Sequence, residues 1–158
     1  MKIALKKISH NSSLSEETNA FTADLYVDGK KIGVVRNQGH GGCDFFHGDQ
    51  AAYDKANAWC SLNMPRSTVN GLDLGPACLE GAYNDILEDW IFQKDLKASL
   101  RSRIVFLRNG EIYASKFKGV RKIQDEHIEI FKKNGPAHDL ILNELTFEEA
   151  LGVYKANT

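Results

Sequence analysis

Nowhere in this sequence of 158 residues do eighteen apolar residues run together, so no stretch reads as a membrane-spanning helix. The first residues, MKIALKKIS, lack the apolar block of a secretory leader. Cysteine is scarce and odd in number, with only Cys43, Cys60 and Cys78. That count excludes a closed disulfide framework and fits a reducing compartment. The expectation is a cytoplasmic protein with no membrane partner. No Pro/Gly/Ser tract, composition shift, repeat or low-complexity run marks a linker, so a single domain over residues 1–158 is expected. Net charge is also lacking, at −1 formally, which rules out polyanion binding by the bulk field of the molecule.

What is present is ordinary for a globular chain, with 42% hydrophobic and 26% charged residues. Such a length buries a core without disulfides or metals. Charge is unevenly placed. From Lys94 to Lys133 there are eleven Lys and Arg against five Asp and Glu; from Asp44 to Gln93 there are two against eight. Two solvated faces of opposite sign account for this, and a partner surface is the alternative.

Periodicity sketches the elements. Lys2–Ile8 alternates as a strand. Phe21–Val27 and Lys31–Arg36 flank Asp28-Gly29, a hairpin turn dipeptide. After a loop from Asn37 to Gly48, Asp49 caps a helix running to about Asn63, with Ala52, Ala56, Trp59 and Cys60 on one face and Pro65 beyond its end. Another loop reaches Gly75. The longest helix follows over about Pro76–Arg101, with Leu79, Tyr83, Ile86, Leu87, Trp90 and Ile91 as its apolar stripe. Arg103–Arg108 and Glu111–Lys118 flank Asn109-Gly110 as a second hairpin. A helix over Gln124–Asn134, a brief strand over Asp139–Asn143 and a helix opened by a Thr146/Glu149 capping box complete the chain. Hairpins with segregated helices predict an α+β fold: an antiparallel sheet from two hairpins plus short strands, packed on three to four helices.

Chemistry concentrates between Arg36 and Asp49. Gly39, Gly41 and Gly42 permit close backbone approach, and a glycine-rich loop leading to a helix start can offer N–H groups to an anion. Arg36 at the strand end would add a bidentate contact. The ligand-binding candidates are therefore Arg36, Asn37, Gly39, His40, Gly41, Gly42, Asp44 and His47. The loop matches neither the P-loop nor the dinucleotide fingerprint, and a plain connector explains it equally. A second reading takes His40, Cys43, Asp44, His47 and Asp49 as ligands of zinc or another divalent metal in a hydrolase, although their spacing matches no standard signature. Whether they hold a metal stays open. A third makes Cys43 a nucleophile with His40, His47 or His127 as base. Asp85, Glu88 and Asp89 read as a solvated acidic face. At Tyr113–Lys122, the bases Lys116, Lys118, Arg121 and Lys122 surround Phe117, a pattern suited to nucleic acid; alternation instead turns Phe117 toward the core.

The segments Leu14-Ser15-Glu16-Glu17-Thr18 and Phe21-Thr22-Ala23-Asp24-Leu25-Tyr26-Val27-Asp28-Gly29-Lys30-Lys31-Ile32-Gly33, then Asn37 and Gly39–Gly42, resemble a group of small uncharacterised α+β proteins encoded by bacterial phages and mobile elements. The resemblance covers about the first fifty residues and transfers no catalytic residue. It implies a bacterial host cell, and an inhibitor or sequestering protein aimed at host defence. The leading expectation is thus a non-enzymatic binding protein, without a cofactor, for a host protein or a small anionic, nucleotide-like ligand. The metal-dependent hydrolase and the nucleic-acid-binding domain are the alternatives, and the oligomeric state is left open.

Overall fold

The computed structural model describes residues 1–69 and 71–158, and its elements form an α+β arrangement. Contacts divide the chain into two compact units, Met1–Asp89 and Trp90–Thr158.

The first unit is built on a four-stranded antiparallel meander of β1 (Ile3–His10), β2 (Phe21–Val27), β3 (Lys30–Asn37) and β4 (Phe45–Gly48), in that spatial order. The β2–β3 turn works because Asp28 and Gly29 both take positive φ, 48° and 81°, the geometry that matches strand twist in a two-residue turn. Register sets Leu25 opposite Leu5 on one side and Gly33 on the other. Alternation then buries Phe21, Ala23, Leu25 and Val35 on one face. Lys7, at φ 51°, lies in the irregularity between Lys6 and Ser9. Asp24 points to the opposite face and is still buried, held by Lys31 at 2.7 Å and Lys7 at 3.6 Å. That Lys31 contact comes first among the causes holding its carboxyl below the ordinary 3.8.

Asp49 accepts from Ala52 N at 3.0 Å and starts α1 (Gln50–Asn63). Ala56 and Cys60 of that helix are fully buried, and the Tyr53 ring rests on Phe46 of β4 with centroids 4.5 Å apart. A small hairpin follows, β5 (Ser67–Val69) and β6 (Leu72–Gly75), and then α2 (Leu79–Ser102). Leu79 N donates to Asn57 Oδ1 at 2.8 Å and Ser61 Oγ to Ala77 O at 2.9 Å, which ties the start of α2 to α1.

The second unit contains β7 (Ile104–Arg108), β8 (Glu111–Ser115), α3 (Asp125–Asn134), β9 (Leu140–Ile141) and α4 (Phe147–Ala156), with strand order β8-β7-β9. Strand β7 is buried on both faces. Ile104 and Phe106 join Ile128 and Phe131 of α3 and Ile141; Val105 joins Leu96 of α2, Leu142 and Ala150 of α4. The side chain of Asn143 accepts from Val105 N at 2.7 Å and donates to Leu100 O and Arg103 O. The Thr146–Glu149 capping box forms as the sequence predicts.

Four expectations are corrected. Residues 45–48, expected in a loop, pair with β3 as β4, because Phe46 finds a half-buried partner in Tyr53 that local pattern does not reveal. The expected loop before Gly75 contains the β5–β6 hairpin. The strand expected to reach Lys118 ends at Ser115, and that expected over Asp139–Asn143 pairs only at Leu140 and Ile141 before a 3-10 turn.

Candidate functional site

The glycine-rich segment is shorter than its sequence suggests, since β4 claims its second half. What remains, residues 38–44, is fastened to the polypeptide before β2. Gly39 O accepts three backbone N–H groups, from Glu16, Glu17 and Thr18, at 3.0, 2.9 and 3.4 Å. Gly39 has φ 90°, and a Cβ there would collide with the Leu14 carbonyl. Glycine is needed at this position for both conformation and close approach, and the neighbour it approaches is this chain rather than a ligand.

Asn37 holds the two segments together. It is buried at 7% exposure. Its Oδ1 accepts from Thr18 Oγ1 and from Gly39 N, each at 2.8 Å; its Nδ2 donates to Gly42 O at 3.2 Å and Asp44 Oδ1 at 2.9 Å. Gly41 N donates to Thr18 Oγ1 at 3.3 Å. Asp44 continues the network onto α2. Its N–H donates to Glu80 Oε1 at 3.1 Å, and its Oδ2 accepts from Asn84 Nδ2 at 3.1 Å.

These contacts enclose a cleft of about 490 Å³ between residues 15–21, the loop, and the first turns of α2. Of the sequence candidates, Asn37, Gly42 and Asp44 line it; Arg36, Gly39, His40, Gly41 and His47 do not. Arg36 is exposed on β3, its guanidinium over the Phe45 ring at 5.8 Å. His40 pairs with Glu16 at 3.2 Å. His47 sits exposed on β4 opposite Val34. Among the described residues, no three His, Cys, Asp or Glu side chains are grouped to hold a metal ion. Asp49 serves as a helix cap, and Cys43 is exposed.

The lining carries five carboxylates, Glu16, Glu17, Asp44, Glu80 and Glu88, and neither Lys nor Arg. An anion would meet repulsion here. The loop N–H groups of Gly39, Gly41 and Asp44 that would serve it are already spent on Asn37, Thr18 and Glu80. Behind the Asp44–Glu80 wall lies Tyr83. It is fully buried, with its hydroxyl against Asp44 and Tyr53. Burial first, then the neighbouring Asp44, Tyr53 and Glu80, push its phenol far above the ordinary 10.0. Tyr53 is raised in the same way by burial and then by Glu80.

Glu80 and Asn84 were missed by sequence reasoning, and Glu88 was read there only as part of a solvated acidic face. They share one face of α2 at intervals of four residues, a polar stripe beside the apolar one, and that spacing is the signal that could have found them. Residues 15–19 carried no chemical signature of their own.

In the second unit, Phe117 is half-buried against the Ile104–Phe131 cluster, and its ring meets His127 at 5.4 Å. Tyr113 stacks on Phe106 and donates to Glu111. Lys116, Lys118, Arg121 and Lys122 are exposed on chain that has left the sheet. His127 Nδ1 accepts from Gln124 N at 3.1 Å, the role of a helix cap.

No protein-family model matches the chain, and no curated protein or solved structure matches it either.

Proposed function

We propose that this chain is a non-enzymatic binding protein of phage or mobile-element type, which inhibits or sequesters a host component by holding part of it in the cleft beside Asn37 and Asp44. The observation that carries this reading is the network centred on Asn37. It presets a concave, polar surface from three separate stretches of chain, and a site held rigid before binding loses little conformational entropy when occupied. Most of the network's donors and acceptors are satisfied within the chain, so the free chemistry at the surface is carboxylate. The occupant is therefore better matched by a positive group than by the anionic, nucleotide-like ligand that the glycines suggest.

A photo-crosslinking amino acid at Glu17, on the cleft rim, tests the reading in bacteria; the same residue at Lys30, the first residue of β3, is the control. Intact mass should show an adduct, large or small, at position 17 and none at position 30. No adduct at 17, or equal adducts at both positions, would remove the cleft as the binding surface.

A further inference from the structure

We infer that Cys78 is a site of oxidation by hydroperoxides, and that the neighbouring Cys60 resolves the oxidised sulfur as a Cys60–Cys78 disulfide. The inference goes beyond the binding reading and does not depend on what the cleft beside Asn37 holds.

The pair is assembled where α1 meets the start of α2. Asn57 Oδ1 accepts from Leu79 N at 2.8 Å, and Ser61 Oγ donates to Ala77 O at 2.9 Å. Those two bonds bracket Cys60 on α1 and Cys78 on the chain entering α2. A disulfide asks for Cα atoms within about 7 Å of each other, a span of the order already bridged by one short side chain and one hydrogen bond at Ser61 and Ala77. The two thiols are near enough for charge on Cys78 to act on Cys60. Their surroundings differ. Cys60 is fully buried, whereas Cys78 is exposed. The Cys78 sulfur accepts from Gly81 N at 3.3 Å, and the residue lines a second cleft of about 390 Å³ together with Met64, Leu74 and Ala82.

That difference sets the order of the steps. Burial first, and then the neighbouring Cys78, push the Cys60 thiol above its ordinary 9.0, and a thiol kept protonated attacks poorly. Cys78, open to solvent, meets the peroxide first. Its sulfur bonds to one peroxide oxygen as the O–O bond breaks, which leaves a sulfenic acid; the other oxygen departs with the thiol's proton, as water from hydrogen peroxide or as alcohol from an organic hydroperoxide. The Cys60 sulfur then attacks the Cys78 sulfur. The S–S bond forms, the S–O bond breaks, and the hydroxyl leaves as water with the Cys60 proton. Two thiols lose two electrons in all, and the peroxide gains them. Cys43, the third cysteine, is also exposed, so exposure by itself does not mark out Cys78; the buried thiol beside it does.

Hydrogen peroxide added to the whole native chain, followed by alkylation and trypsin, tests the inference, because cuts after Lys55 and Arg66 put the three cysteines in three peptides. The treated chain should be lighter by the mass of two hydrogen atoms. The Cys60 and Cys78 peptides should run as one species that a reductant separates, with Cys43 alkylated. Cys60→Ala should stop at a sulfenic acid on Cys78 that dimedone traps, Cys78→Ala should give no disulfide, and Cys43→Ser should form the disulfide at an unchanged rate. Three thiols still free after peroxide, a disulfide that includes Cys43, a rate that falls in Cys43→Ser, or dimedone on Cys60 rather than Cys78 overturns the inference. The peptide map uses the unmutated chain, so an unstable Cys60→Ala leaves the test standing.

Discussion

Replacing Asn37 with Ala removes four hydrogen bonds at one stroke, those to Thr18, Gly39, Gly42 and Asp44. Not all of the orphaned partners pay in full, because water entering the cleft resolvates those nearest its surface. Counting only two of them as left unpaired, at about 1–3 kcal/mol each, the loss is about 2–6 kcal/mol. For a unit of this size, each kcal/mol moves the midpoint by about 4–8 °C, so the melting temperature should fall by about 10 °C or more. Asn37→Asp is the informative companion. It keeps the acceptor for Thr18 and Gly39 but turns a second carboxylate toward Asp44. It should be at least as damaging at pH 7, and should recover as acid protonates one of the pair. Thermal melts followed by circular dichroism give the magnitude, and hydrogen exchange at the Gly39 and Gly41 amides locates it. A fall smaller than about 3 °C for Asn37→Ala, with both amides still protected, would refute the idea that this side chain holds the loop.

Gly39→Ala should be destabilising, since both its φ and the adjacent Leu14 carbonyl oppose a Cβ; backbone strain alone gives about 1–3 kcal/mol, and a melt within error of wild type would contradict that. Asp24 has a depressed pKa, so its carboxylate contributes stability that is fully present above its ordinary 3.8 and is lost as pH falls through the lower folded value. Asp24→Asn should therefore lower stability at pH 7 and lose less on acidification than wild type, which pH-dependent urea melts will show; parallel curves would dismiss the linkage. Asn143→Ala unpairs Val105 N in the second unit and should cost about 1–3 kcal/mol, read as a lower urea midpoint at unchanged slope.

The sequence by itself determined the local geometry. Asp28-Gly29 and Asn109-Gly110 dictate their turns because few other residues tolerate positive φ in succession. Asp49 and the Thr146–Glu149 pair mark helix starts because a side chain one turn away satisfies N–H groups that have no helical partner. Helical period placed Leu79, Tyr83 and Leu87 in the core correctly, and with these came the fold class. Tertiary structure decided what local pattern does not encode. Residues 45–48 became a strand only because β3 offered an open edge and Tyr53 a ring to cover Phe46. The glycines and Asn37, which in sequence resemble a cradle for a ligand, turned out to fasten residues 38–44 to residues 14–18, about twenty positions earlier in the chain. Glu80 and Glu88, two acids among many on a long helix, acquired meaning only when the loop carrying Asp44 was laid against them. Turns and caps are settled within a few bonds of the residues that cause them, whereas a cleft is a relation among distant stretches whose proximity exists only after the chain has folded.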